Sequence, residues 1–323
     1  MRAASPTSGW LVHPVFDLLL IANVLWPLLI WLGSMDGFAR RDGLLFWQIY
    51  FITTPHRWVT LLLVFGDRKR FRSRRWLFGG IAVVALAVTL GVRLSTGGLT
   101  CLLAIDYLWN AWHFSAQHHG IAKLYSRRST SPLEERIWEK WAFRLFLLYV
   151  IFRVAGTTWS LEGLELALAR IDFVVLIIPA VLLVRAARTP FAQAGGGLVY
   201  RASVFGLYLG MLWAVHEKRP EMVLAFATAS AMFHATEYLA VVGWTLKIKQ
   251  GADNSALGLL GWIIPRWAIL MAVFIMALGA SGYWLDQRLQ EAWLTINVAV
   301  AFLHYAYDGL IWRRQGAGTN TAR

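Results

Sequence analysis

The stretch Arg74-Arg75-Trp76-Leu77-Phe78-Gly79-Gly80-Ile81-Ala82-Val83-Val84-Ala85-Leu86-Ala87-Val88-Thr89-Leu90-Gly91-Val92-Arg93 decides how this chain is read. No charged residue lies between Arg75 and Arg93. Coiled as one helix at a rise of about 1.5 Å per residue, the stretch approaches the roughly 30 Å thickness of a hydrocarbon core. The run before it, Asp67-Arg68-Lys69-Arg70-Phe71-Arg72-Ser73-Arg74-Arg75, is dense in basic residues. Such clusters stay on the cytoplasmic side of a membrane. An apolar helix behind a basic anchor is therefore expected here, entering the bilayer from the cytoplasm.

Outward from this segment, others of the same kind follow. The sequence predicts ten spans, over 14–35, 44–65, 76–93, 98–122, 141–157, 172–186, 198–215, 221–244, 257–281 and 291–312. The fold class is all-α: a polytopic transmembrane helix bundle, one domain over 1–314 with a disordered tail at 315–323. Composition agrees. Hydrophobic residues make up 58% of the 323, and charged residues 15%, against about 25% in a soluble domain. Mean hydropathy is +0.53. The 18 Trp and 10 Tyr are ring types that favour the membrane–water interface.

Loop charges set the orientation. Arg2, the 66–75 run, the 123–140 loop with Arg144, then Arg185, Arg188, Arg201, Lys247, Lys249, Arg313, Arg314 and Arg323 fall on one side. They far outnumber Arg40, Arg41, Arg93, Arg170, Lys218, Arg219 and Arg288 opposite. Both termini are thus expected in the cytoplasm, in a membrane of the bacterial inner type. The net charge of +13 is topological and gives no reason to expect a nucleic-acid partner. The basic run is expected to meet anionic membrane lipids. A single cysteine, Cys101, excludes an internal disulfide and a thiolate zinc cage. The first apolar run lacks a small-residue cleavage site and reads as a retained helix. Gly195-Gly196-Gly197 reads as a flexible turn, with no strand before it and no suitable lysine after it for a phosphate loop.

Ionisable residues within spans cost about 2.5–3.5 kcal/mol each and usually face the bundle interior. Here they form motifs: Thr54-Pro55-His56-Arg57, Trp112-His113-Phe114-Ser115-Ala116-Gln117-His118-His119-Gly120, His234-Ala235-Thr236-Glu237-Tyr238 and His304-Tyr305-Ala306-Tyr307-Asp308-Gly309, with His13 and Asp17 in the first span. Measured from the next cytoplasmic charge, His56, His113, His234 and His304 all lie about 13–20 Å deep. Four histidines on four helices therefore share one layer, central or in the cytoplasmic half. His234 with Glu237, His304 with Asp308 and His13 with Asp17 stand at offsets that share a helix face. One intramembrane histidine is more often helix glue than a ligand. A layer of them with carboxylates is how metal sites are built between facing helices.

The candidate metal ligands are His56, His113, His118, His119, His234, Glu237, His304 and Asp308. Arg57, Gln117, Tyr238, Tyr305, His13 and Asp17 are candidates for the surrounding shell or for substrate contact. Imidazole with carboxylate suits iron, one ion or two, with zinc or manganese as alternatives. Along one helix, His118 and His119 point about 140° and 240° away from His113. Only one of the pair is expected at the site unless the helix loosens near Gly120. Pro55 is expected to kink or open its helix. Asp106 is expected to line a channel or pair with Arg153. Arg57 is a partner for Glu237, Asp308 or a headgroup, and His216 is expected to be merely exposed.

Pro55-His56, Trp112-His113 with Gln117, His234 to Tyr238 and His304 to Trp312 together resemble a set of uncharacterised bacterial polytopic histidine-motif membrane proteins, with Glu237 in place of a Gln. Pro55-His56 and the general layout are also similar to the Brp/Blh-type β-carotene 15,15′-dioxygenases. That family's Pro-His-Gly-x-x-Asp pattern is not reproduced, because Arg57 follows His56. The second resemblance implies a histidine-ligated iron and a hydrophobic substrate. The histidine boxes of alkane hydroxylases and desaturases are absent.

The expected function is a membrane-embedded non-haem metal oxygenase or oxidoreductase. It would act on a hydrophobic, lipid-like small molecule and draw on an electron donor. The alternative is a proton- or metal-coupled membrane transporter using the same buried His, Asp and Glu groups.

Overall fold

A computed structural model describes residues 9–35, 43–128, 136–158, 162–250 and 263–312. The expected tail at 315–323 lies outside them, as do Arg2, Arg40 and Arg41. The described residues are helical, and no strand is found among them. Among the described residues, five helical stretches are long and apolar enough to cross a membrane: Pro14–Gly33, Arg75–Thr96, Glu165–Ala187, Phe191–His216 and Trp267–Ile311.

The segments read as spans are helical, with interruptions that have local causes. The first begins as α1 (Pro14–Phe16), widens to a π-helical Asp17–Ile21, and resumes as α2 (Trp26–Ser34). Asn23 sits between them at φ 44°, a left-handed conformation that Asn tolerates better than most residues. The second runs as α3 (Leu44–Trp47), a π-helical Gln48–Thr53 and α4 (Thr54–Phe65). The wide turns lie where the Pro55 ring would crowd the carbonyl four residues back, so the expected opening takes the form of a π stretch. The basic run forms the short α5 (Arg68–Ser73), capped by the Asp67 carboxylate accepting from the Arg70 amide at 2.9 Å.

There follow α6 (Arg75–Thr96), α7 (Thr100–Arg128) and α8 (Ile137–Thr158). Next, α9 (Glu162–Val175) and α10 (Ile177–Ala187) are parted at Leu176, where Pro179 excludes the Val175 carbonyl from a regular turn. The chain then forms α11 (Phe191–His216), α12 (Pro220–Gln250) and α13 (Trp267–Ile311).

α13 is broken at Leu289 (φ −139°, ψ 48°). A β-carbon on Gly282 would lie 2.5 Å from the Trp293 ring, yet a straight helix would hold these residues about 16 Å apart. The chain therefore doubles back at the break, in keeping with separate spans over 257–281 and 291–312.

The chain divides into two compact units. One comprises 1–53 and 110–246. Its core gathers Ile21, Phe146, Leu147, Val150, Tyr200, Val204, Phe205 and Tyr208, with α11 packed on α8 and α10. Gly195, Gly196 and Gly197 are not a turn. They lie buried within α11, and a β-carbon on Gly196 would come within 2.6 Å of the Gly9 carbonyl oxygen and 2.9 Å of the Tyr125 ring. Small residues here permit close approach of chain to chain. The other unit comprises 54–109 and 247–323. Here α13 packs on α4 and α6 around Val64, Phe78, Leu102, Val298 and Phe302. Tyr307 donates to the Phe78 carbonyl at 2.8 Å, fastening α13 to α6.

Candidate metal centre

The first unit brings His118, His234 and Glu237 together. One ligand-type atom from each lies within 4.8 Å of the others, and all three side chains are buried. α7 and α12 supply them. The His113 ring lies 5.0 Å from that of His234, and Phe114 stacks on His234 at 3.8 Å. α7 stays regular through Gly120, so it does not loosen to aim its histidines. Instead the His234 ring sits where both His113 and His118, at 5.0 and 6.1 Å, can approach it. His119 points elsewhere, its ring 5.9 Å from Phe143.

Hydrogen bonds orient His118. Its Nδ1 lies 3.0 Å from Glu237 Oε1 and 3.0 Å from the Tyr200 hydroxyl. That hydroxyl donates to Glu237 Oε2 at 2.9 Å, and Gln117 Nε2 donates to Oε1 at 2.8 Å and to the His234 carbonyl at 2.9 Å. A carboxylate beside Nδ1 places the ring proton there. Nε2 is then the lone-pair nitrogen, and it is buried with no hydrogen-bond partner among the described residues. A carboxylate holding the far nitrogen of an imidazole is the usual support of a histidine ligand. The 3.0 Å separation equally suits two neighbouring donors on one ion, because bonds of about 2.1 Å at 90–110° place the donors roughly 3.0–3.4 Å apart.

The second unit brings a histidine pair and a carboxylate near one another. The rings of His56 and His304 stand 4.9 Å apart, edge to face. Thr60 Oγ1 lies 2.7 Å from His304 Nδ1 and donates to Asp308 Oδ1 at 3.3 Å. The Thr60 hydroxyl thus bridges His304 Nδ1 and Asp308 Oδ1, and His304 Nε2 lies 4.0 Å from Asp308 Oδ2. Pro55, His56 and Thr60 are buried on α4.

Other sequence-selected residues have different work. His13 is exposed and caps α1, accepting from the Val15 amide. Asp17 is buried and accepts from the Leu11 and Val12 amides at 2.6 and 3.1 Å and from Tyr125 at 3.0 Å. Asp106 accepts from Tyr305 at 2.9 Å, and the Arg57 guanidinium lies over the Tyr305 ring. Arg153 makes two 3.2 Å contacts with Asp172, which also receives Tyr149. His216 is not merely exposed, since its Nδ1 is 3.0 Å from Asp172 Oδ2. Tyr238 is buried.

Sequence reasoning missed Tyr200 and Thr60. Each is an ordinary residue for an apolar helix, and its hydroxyl acquires a role only once helices pack. No known protein family, no curated protein and no solved structure matches the chain.

Proposed function

We propose that this protein is a membrane-embedded metalloenzyme, a non-haem iron oxygenase or oxidoreductase acting on a hydrophobic, lipid-like substrate. The observation that carries this reading is the buried set of His118, His234 and Glu237, with His118 pinned through Nδ1 and its Nε2 facing no hydrogen-bond partner among the described residues. In this reading His118 and His234 bind the ion, His113 stands beside them, and Glu237 orients His118 and balances charge. His56, His304 and Asp308 offer the same donor types for a second ion, so the iron count is one or two. Neutral imidazole with carboxylate favours iron, manganese or zinc over softer metals. When bound, iron would supply oxygen activation. The protein would position the ligands, exclude water and admit the substrate from the surrounding lipid. An electron donor completes the scheme.

The setting belongs to the same proposal: ten spans in a bacterial inner membrane, both termini in the cytoplasm, and the histidines in the cytoplasmic half of the bilayer. The likeness to the histidine-motif membrane proteins and to the Brp/Blh-type dioxygenases points the same way.

Elemental analysis of the purified protein tests it. Near-stoichiometric iron is expected. His118→Ala and His234→Ala should lose metal while the protein remains inserted, and a protein active without metal would overturn the reading. The buried Arg153–Asp172 pair, with a half-buried His216 beside it, adds further ionisable groups within the first unit, which favours a proton- or metal-coupled carrier. Proton or metal flux into proteoliposomes, with no turnover of any lipid-like compound, would establish that second reading.

A further inference from the structure

The second unit carries a charged surface that the metal reading does not use. It consists of α5 and the first turn of α6. α5 packs on both α4 and α6. Phe71 turns inward, its ring 5.3 Å from that of Phe65, and joins the apolar core of the unit. Arg70 also turns back, donating to the Leu63 carbonyl at 3.2 Å and lying 3.8 Å from Asp67 Oδ2. These two side chains fix which face of α5 is left outside.

That face is basic. Arg68, Lys69, Arg72, Arg74 and Arg75 are exposed. Read as sequence, the run offers six cations of equal standing; folded, Arg70 is withheld and five are displayed. Asp67, the carboxylate within the run, is buried and engaged by the Arg70 amide and guanidinium. No carboxylate pairs with the five among the described residues. The Arg75 guanidinium lies over the Trp76 ring at 5.2 Å. Trp76 is 82% exposed and Leu77 44%, and they open the apolar stretch Arg75–Thr96. Cations, an exposed indole and then apolar surface succeed one another in the order of headgroups, interface and hydrocarbon. Guanidinium forks on such a face suit phosphate oxygens. A soluble polyanion would match the cations and leave the Trp76 and Leu77 flank uncovered, whereas a lipid covers both.

We infer that the outer face of α5 and the start of α6 form a docking site for anionic phospholipid, with Arg68, Lys69 and Arg72 as its principal cations and Trp76 beside them at the interface. The inference rests on the membrane setting proposed above and is independent of the metal. A basic residue held near an anionic membrane surface contributes about fivefold in affinity, and salt weakens that contribution.

The experiment places the full-length protein in phosphatidylcholine nanodiscs that carry a trace of photoactivatable phosphatidylglycerol, and maps the crosslinked residues by mass spectrometry. Crosslinks should concentrate within 68–77. Unlabelled phosphatidylglycerol should compete them away, the zwitterionic phosphatidylethanolamine at the same mole fraction should not, and high salt should weaken them. Arg68→Gln, Lys69→Gln and Arg72→Gln should each lower the yield about two- to fivefold, and Arg72→Lys should preserve it. Each single change leaves four exposed cations to hold the topology. Arg93→Gln removes one charge at the other end of α6 and should leave the yield unchanged. Equal competition by the two lipids, crosslinks spread evenly along the apolar helices, or the same loss in Arg93→Gln as in Arg72→Gln overturns the inference. Competition by inorganic polyphosphate but not by phosphatidylglycerol would assign the face to a soluble polyanion and overturn it equally. Recovery in nanodiscs and iron content are read on the same samples, so the headgroup preference, the membrane setting and the metal centre fail separately.

Discussion

Glu237 illustrates how much a single carboxylate can organise. Both its oxygens accept hydrogen bonds, from Gln117 and Tyr200, while Oε1 also faces His118 Nδ1. A group so occupied works by fixing the imidazole, and its effect on a metal would be transmitted through His118. Tyr200→Phe tests this with the smallest change, since it removes one donor and retains the ring. Metal affinity, read by chelator competition, should fall by about 10–100-fold, the usual consequence of losing an outer partner. Glu237→Gln should fall in the same range, whereas His118→Ala should abolish binding. Equal, complete loss in all three would instead make Glu237 a direct ligand. At this scale the sequence was informative about half of the arrangement. His118, His234, Glu237, His304 and Asp308 stand out because a charge or imidazole in an apolar run demands a reason. Tyr200 and Thr60 do not, because a hydroxyl on a helix is cheap until packing gives it a partner. The choice between His118 and His119 was also hidden. It depends on which side of α7 meets α12 and which meets α8, a fact of packing that one helix does not contain.

Two helices that carry the candidate centre fall outside the stretches apolar enough to cross a membrane. These are α7 and α12, which bear His113 to His119 and His234 to Glu237. The polar residues that lower their hydropathy include the ones that build the candidate centre. Most helix positions were legible from apolar run length. Interruptions were legible only where proline caused them, as at Pro55 and Pro179. The reversal at Leu289 was anticipated as a short connection, and the left-handed Asn23 was not anticipated at all. The triple glycine of α11 was misread because glycine signals both a turn and a close helix contact, and only the neighbour distinguishes them. That neighbour makes a prediction. Gly196→Val should destabilise the protein by about 1–3 kcal/mol through overpacking against Gly9 and Tyr125. Gly91→Ala, where nothing lies within 4 Å of the added carbon, should be neutral or stabilising by up to about 1 kcal/mol. Thermal unfolding in detergent compares the two, and equal behaviour would mean that the contact at Gly196 is not tight.

For the whole molecule, apolar side chains cover much of the surface as well as filling the core. Buried positions include His118, Glu237, Asp17, Arg153 and Asp172, while Leu94 is 84% exposed, Ile269 71% and Val83 66%. Exposed apolar surface on this scale calls for a non-aqueous neighbour, and the long apolar helices supply its dimension. Length and hydropathy carry no sense of direction. Only the loop charges do, and in the proposed orientation the 66–75 run lies inside and the connection between α6 and α7 outside. The single cysteine gives a native reporter of that direction. Cys101 is exposed and is the second residue of α7, directly after that outer connection. Thiols react with maleimides as thiolates, so labelling requires contact with water. A membrane-impermeant maleimide should label Cys101 in intact spheroplasts and should fail in sealed inverted vesicles, with Cys101→Ser as the blank. The reverse pattern would invert the whole topology and move the histidine layer to the outer half of the bilayer.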